Sequence, residues 1–393
     1  MLSGYGRALR APHVAATVLA SIVARLPISM AGLGTILYVH ARTGSFGAAG
    51  VVSGAFALGS ALSAPLLGRL VDRLGQTPVL VPGAFVDCAA LAGIVVLGSL
   101  RAPVAALAAS SLVAGIGAPP VGASLRALWP TMLRDEPEAL GAAYALDSIL
   151  LEIFFIVGPL LTAVLASLVS PASALLVAAG FAVVGTLWFC ALPPSRQWRG
   201  EARTAPGRAG ALASPGMRTI VLATFPVGAC FGALEIALPA FGAAHGAAAL
   251  GGPFAAALSV GSAVGGLLYG AKAGTRPRLP LFLGLSFALP AACLPLLLAP
   301  SVAVMFPLAA LAGMAIAPLV ASRNELTNAV APAGTLTEAF TWGLTAIVGG
   351  SAAGSAIAGA VVQGAGWRAG VLIASAFAIA GTVVAFAGRR TVV

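Results

Sequence analysis

Five ionisable residues, Arg25, Asp87, Asp147, Glu152 and Glu235, stand deep inside long apolar runs of this sequence. A charge in such surroundings costs about 3 kcal/mol on insertion scales, so each one calls for a partner, a water-filled cavity or a task. A carboxyl there can take up and release a proton, and a guanidinium can hold an anionic group or neutralise a carboxylate. Asp147 and Glu152 are five residues apart, about 140° around a helix, so they face different neighbours. One of them can face a cavity while the other pairs with Arg126 or an adjacent helix. Arg25 is followed by Pro27, Gly32 and Gly34, which give its helix bending points. It is expected either to face a bound molecule or to form a buried ion pair with Glu152 or Glu235. Asp87 is expected to be structural. Thr335 and Glu338 have the spacing of a capping box, in which the two side chains satisfy the N–H groups of a helix's first turn. With an earlier helix start, Glu338 and Trp342 lie one turn apart and present an acid and an aromatic ring to a cavity.

Other chemistries find no residues to carry them. The acids are dispersed, Cys88, Cys190, Cys230 and Cys293 read as packing residues in apolar runs, and His13, His40 and His245 lie far apart. Neither a metal centre nor a membrane-embedded enzyme is expected from that distribution. No G-x-x-x-x-G-K-S/T run is present, which argues against ATP as an energy source.

The elements that hold these residues are membrane spans. The 393 residues are 60% hydrophobic and 8% charged, where soluble domains carry about 25% charged residues. A bilayer core about 30 Å thick takes roughly 20 apolar residues per helix, and twelve runs of that kind follow one another between residues 14 and 387. Helices are expected, because the alternation of a membrane β-barrel is absent. The first run carries Arg25 and lacks a small-residue cleavage site, so it is expected to remain as a span.

The longest polar stretch runs from Pro193 to Gly216, carries Arg196, Arg199, Arg203 and Arg208, and divides the runs six and six. The expected organisation is a bundle over 1–192, a linker over 193–217 and a second bundle over 218–393. Seventeen of the basic residues fall on the side of both termini, three on the other, and Arg25 lies within the membrane. That asymmetry predicts a multi-pass protein of the cytoplasmic membrane with both ends in the cytoplasm. It also accounts for the net charge of +10 without invoking nucleic acid.

The two halves share a pattern. LGSALSAPLLG (Leu58 to Gly68) aligns without a gap with VGSAVGGLLYG (Val260 to Gly270), at an offset of 202. A repeat between halves of equal topology is typical of transporters with a site at the repeat interface. Just after its first copy comes Gly68-x-x-x-Asp72-Arg73-x-Gly75, which resembles the signature loop between helices 2 and 3 of the major facilitator superfamily. Gln76 and Thr77 replace the trailing basic pair of that loop. The corresponding stretch from Gly270 keeps Lys272 and Arg276 and has Gly274 in place of the acid. Gly158-Pro159 resembles the Gly-Pro of the superfamily's antiporter motif, although Phe154 stands where a glycine would precede it. Ser111 to Gly115 occupies the place of an R-x-x-Q-G motif and has no arginine.

The resemblance implies an all-α fold of twelve transmembrane helices in two pseudo-symmetric six-helix bundles, working by alternating access. It implies that helices 1, 4, 7 and 10 line the cavity, so that Arg25 and Glu235 are candidates to face cargo from opposite halves. Asp147, Glu152, Glu338 and Trp342 complete the candidate set for cargo and protons. It further implies that Asp72 meets the N-terminal end of helix 11, Thr335 to Glu338, where free N–H groups favour a carboxylate. Gly68, Asp72, Arg73 and Gly75 would then form a gating loop. The expected activity is proton-coupled export of a small molecule by a monomer that needs no cofactor beyond the proton gradient. Proton-coupled import of a sugar, amino acid or vitamin is the alternative, since fold analogy does not choose direction.

Overall fold

The computed structural model describes residues 3–199, 210–246, 250–271 and 277–392. A short helix, α1 (Ser3–Arg10), precedes the first crossing, α2 (Val14–Thr43). The second and third crossings are α3 (Phe46–Leu74) and α4 (Thr77–Ser99). The fourth is split into α5 (Val104–Gly117) and α6 (Val121–Met132), and α7 (Leu140–Leu168) and α8 (Pro171–Ala191) complete the first half. Between the halves, α9 (Pro193–Gln197) and a 3-10 turn, Gly210–Ala213, are the described parts of the connection. Arg203 and Arg208 of the expected linker, and Lys272 to Arg276 of the second loop, lie outside the described residues.

The second half repeats this plan. It runs through α10 (Pro215–Ala244), α11 (Gly251–Ala271) and α12 (Arg278–Cys293), whose crossing is continued by a 3-10 turn, Leu294–Leu298. The tenth crossing is split into α13 (Val302–Gly313) and α14 (Ile316–Val330). The last element, α15 (Leu336–Ala387), has 52 residues, about 78 Å if straight and so more than twice a bilayer core. It turns at Gly366, with φ 77° and ψ 177°, and therefore makes two crossings, giving twelve in all. Only glycine adopts that backbone region readily. Gly366→Ala is expected to cost roughly 1–3 kcal/mol, read as a lowered thermal unfolding midpoint of the purified protein.

The sequence repeat has a packing role. In lipid, helix pairs gain from close approach of small residues rather than from hydrophobic burial. A Cβ at Gly59 would strike the Leu112 carbonyl, and one at Gly115 the Phe56 carbonyl, so helices 2 and 4 touch backbone to backbone. In the second half, Gly261 meets the Ala310 carbonyl and Gly313 that of Leu258, the same crossing between helices 8 and 10. Gly228 and Gly232 of α10 interlock with Gly350 and Gly354 of α15 in the same manner.

The fourth and tenth crossings break at corresponding places. Ala118-Pro119-Pro120 interrupts the first, where two prolines remove backbone donors, and Met314-Ala315 interrupts the second. Each break is followed by a short helix carrying a buried arginine, Arg126 at 4% exposure and Arg323 at 6%. Matching breaks of this kind mark the binding region in transporters built from repeats.

Candidate functional site

At the centre of the first half, three charges meet. Arg25 of α2 donates through Nη1 to Asp147 Oδ1 at 2.6 Å, and Arg126 of α6 donates through Nε to Asp147 Oδ2 at 2.6 Å. All three side chains are buried. The guanidinium of Arg25 also stacks 4.8 Å from the centre of the Phe154 ring, a favourable contact for a desolvated cation. It has room because position 122 is glycine; a Cβ there would lie 3.1 Å from Arg25 Nε. The carboxylate thus bridges helices 1 and 4 from helix 5.

Helix rotation explains this choice of partner. Phe154 lies two turns beyond Asp147 on the same face of α7, turned to helices 1 and 4. Ala145 and Ile149 share the opposite flank with Glu152 and pack against Gly270 and Gly266 of α11. Glu152 accordingly accepts a hydrogen bond from Ser262 Oγ at 2.7 Å, and the same oxygen accepts from the backbone N–H of Ala317 at 3.2 Å. Ala317 is in the first turn of α14, so Glu152 is linked through one serine to the helix that carries Arg323. The expected pairing of Arg25 with Glu152 or Glu235 is replaced by Asp147. Glu235 is exposed on α10, within reach of Ser351 of α15, and Asp87 is buried where α4 crosses the end of α5 at Gly117.

Arg323 is the residue that sequence reasoning missed. The charge count places it, with Arg126, among the seventeen basic residues on the side of the termini, and both lie inside the protein. Its Nη2 donates to Asn324 Oδ1 at 2.8 Å, its Nη1 has no partner among the described residues, and Arg126 and Asp147 are the charged groups near enough to act on it. A signal was available: Ala123-Ser124-Leu125-Arg126 and Ala321-Ser322-Arg323 follow the two helix breaks.

A second constellation joins the halves at the face that carries the termini. Asp72 accepts hydrogen bonds from the backbone N–H groups of Thr337 at 2.9 Å and Glu338 at 2.8 Å. These are free donors of the first turn of α15, and a carboxylate there also meets the positive end of the helix dipole. The capping box expected from Thr335 and Glu338 does not form. Thr335 donates to the Pro332 carbonyl instead, and Glu338 makes a two-pronged contact with Arg69, at 2.7 and 3.1 Å. Gly68 permits the approach: a Cβ there would lie 2.9 Å from Glu338 Cα and 2.6 Å from Thr341 Oγ1. Gly75, at φ 93°, turns the chain from α3 into α4, and Gln76 is buried, donating to the Ser124 carbonyl at 3.0 Å. Arg73 is exposed at the end of α3. Trp342 packs on Ala211, Met217 and Ala339, away from the central charges.

The N-terminal helix adds one more tie across the halves. Tyr5 donates its hydroxyl to the Gly266 carbonyl at 2.7 Å, and burial pushes the phenol up to about 12. Thr345 of α15 donates to the Ala61 carbonyl of α3. These ties between the halves lie from the middle of the membrane to the termini's face. The halves are therefore clasped on that side.

The whole arrangement has relatives of known structure. The chain is similar to the human organic anion transporter MFSD10 (TETRAN), at 20% identity over 97% of this chain and 99% of that one, with a TM-score of 0.73. A bacterial homologue of the iron transporter ferroportin, in an outward-facing state, shares 14% identity over 95% and 98% of the two chains, with a TM-score of 0.75. The E. coli fucose:proton symporter shares 13% over 96% and 99%, with a TM-score of 0.73. A search of curated protein sequences finds no match. The family model of the Major Facilitator Superfamily matches residues 17–342. With twelve crossings, breaks at matching places and a family match over most of its length, the chain belongs to the major facilitator superfamily and is a membrane transporter of small molecules.

Proposed function

We propose that the protein exports a small molecule across the cytoplasmic membrane in exchange for protons, as a monomer with both termini in the cytoplasm. The two bundles, 1–192 and 218–393, rock about the central charges while the segment 193–217 keeps them joined. The observation that carries this reading is the clasp of Asp72 onto α15. It lies on the arginine-rich side, which in this proposal faces the cytoplasm, so the clasp closes that side and leaves the protein ready to release cargo outward. The Gly-Pro at Gly158 lies where helices 5 and 1 touch closely, since a Cβ there would strike Ser29 of α2, and the resemblance of this pair to the antiporter motif is what favours exchange over import.

Glu152 and Glu235 are the proton carriers in this proposal, since neither is held by a cation among the described residues. Glu152 is the stronger of the two. Ionised, it accepts from Ser262 and ties the halves; protonated, it keeps about half the strength of that bond, which loosens the hold on α11 and α14. Glu152→Gln is expected to abolish accumulation driven by a proton gradient in proteoliposomes while leaving cargo exchange measurable. Glu235→Gln is expected to reduce accumulation with the same sign. Unchanged pH dependence in both variants would sink the coupling assignment, and gradient-driven uptake into right-side-out vesicles would reverse the direction.

A further inference from the structure

The central cluster holds more positive charge than its acids balance. Arg25 and Arg126 share the single carboxylate of Asp147, and Arg323 faces that group with only an amide oxygen of its own. Three guanidinium groups thus stand against one carboxylate. The other acids among the described residues are engaged or distant. Asp72 caps α15, Glu338 holds Arg69, Glu152 takes Ser262, and Glu325 accepts from Tyr269 at 2.7 Å. Glu235 lies on helix 7 beside Ser351, Asp87 sits behind the helix 4 break, and Asp135, Glu136 and Glu138 are on the loop before α7.

A buried guanidinium does not shed its proton to relieve this imbalance. Uncompensated, such a charge is strongly destabilising, and two polar atoms of the cluster, Arg323 Nη1 and Arg25 Nε, are buried with no partner. Arg323 also lines a cavity of about 20 Å³ within the second half, with Thr224, Ser286, Leu319 and Ile347 among its walls, room for about one water molecule beside the guanidinium. Arg126, which shares Asp147 with Arg25, and Arg323 are joined by one path of contacts through Tyr144 and Phe340. The Tyr144 hydroxyl is 3.5 Å from the Arg126 carbonyl, its ring is 5.9 Å from that of Phe340, and one turn on from Phe340 the guanidinium of Arg323 lies against Gly343.

We propose that the cargo is anionic, with a carboxylate or phosphate head group held between Arg126 and Arg323, one arginine from each half. This rests on the transporter reading above. Guanidinium matches both head groups through paired N–H donors, and an anion placed there neutralises charges that otherwise repel across the interface. The bound head group therefore favours approach of the halves, and its departure favours their separation.

The test uses the full-length wild-type protein in detergent, without a gradient, and reads thermal unfolding against added ligand. Probes are benzoate, succinate and glycerol phosphate, compared with benzamide and tetraphenylphosphonium. At least one anion is expected to raise the midpoint in a dose-dependent manner, with benzamide and the cation inert. Arg323→Lys, which keeps the charge and loses the planar fork, is expected to weaken that anion's binding tenfold or more while remaining monodisperse. Stabilisation by the amide or the cation as strong as by the anions, or by none of the anions, overturns the proposal, as does unchanged affinity in Arg323→Lys. The anion-against-amide comparison stands on the wild type alone if the variant fails to fold. Because binding is read without a gradient, failure of proton coupling or of export leaves this result intact, and the reverse also holds.

Discussion

Asp147→Asn is expected to be the most damaging single substitution in the first half, costing about 3–5 kcal/mol. The change keeps the shape of the side chain and removes its charge, so Arg25 and Arg126 are left buried together with no counter-ion. Breaking a buried pair by deleting one partner is far more costly than lacking the pair altogether, because the remaining charge keeps its desolvation penalty. Here two charges remain. The variant is expected to reach the membrane at a small fraction of the wild-type level and to unfold at a markedly lower temperature in detergent. The double change Asp147→Asn with Arg25→Gln is expected to recover part of the loss, since it removes one of the orphaned cations. A strictly additive double-mutant cycle would show that Arg25 and Asp147 are not coupled.

Asp72→Asn is expected to act on conformation rather than on folding. Hydrogen bonds to a charged group contribute about 1.5–3 kcal/mol each, and an amide oxygen can replace only one of the two and loses the attraction to the helix end. A net loss of about 2 kcal/mol shifts a two-state equilibrium roughly thirtyfold, toward opening at the termini's face. Spin labels at exposed Arg134 and Arg390, one on each half, read that shift as a longer distance population. Gly68→Ala is expected to move the equilibrium in the same direction, because its methyl group would press on the first turn of α15. Arg69→Gln is expected to have a smaller effect, since Arg69 is partly exposed and solvent screens its pair with Glu338. Identical distance distributions in wild type and Asp72→Asn would remove the loop from the gate.

How much of this was legible beforehand depends on the kind of residue. Asp72 could be placed from its motif, because a turn between two spans is a local feature and a free helix end is a generic partner for a carboxylate. The repeat could also be read, since Gly59 and Gly261 must be small wherever two backbones touch. Glu338 was less tractable. Its spacing from Thr335 suits a capping box, yet the cap comes from another part of the chain, and a residue 266 positions earlier leaves no trace in local spacing. Asp147 and Glu152 could be assigned to different faces by their separation, and Arg126 could be named as a partner for one of them, but not which of the two it would take.

Arg126 and Arg323 show where such reading stops. Counting basic residues near span ends places both in the loops, because the count supposes that each span is one unbroken helix. The prolines after Gly117 warn of a break in the first case; Met314-Ala315 gives much less warning in the second. Once each crossing is broken, its inner segment can be set inside the bundle, and its arginine goes with it.

The sequence by itself determined that the chain crosses a bilayer twelve times, that its halves repeat and that its basic residues favour one face. These follow from composition along the chain, because the bilayer selects for apolar length and for charge at span ends. The tertiary structure alone decided which charges meet, that Arg25 and Arg126 share Asp147 and that Arg323 is left over. That outcome depends on how each helix is rotated and where it bends, and rotation is set by the contacts of small residues between helices distant in sequence.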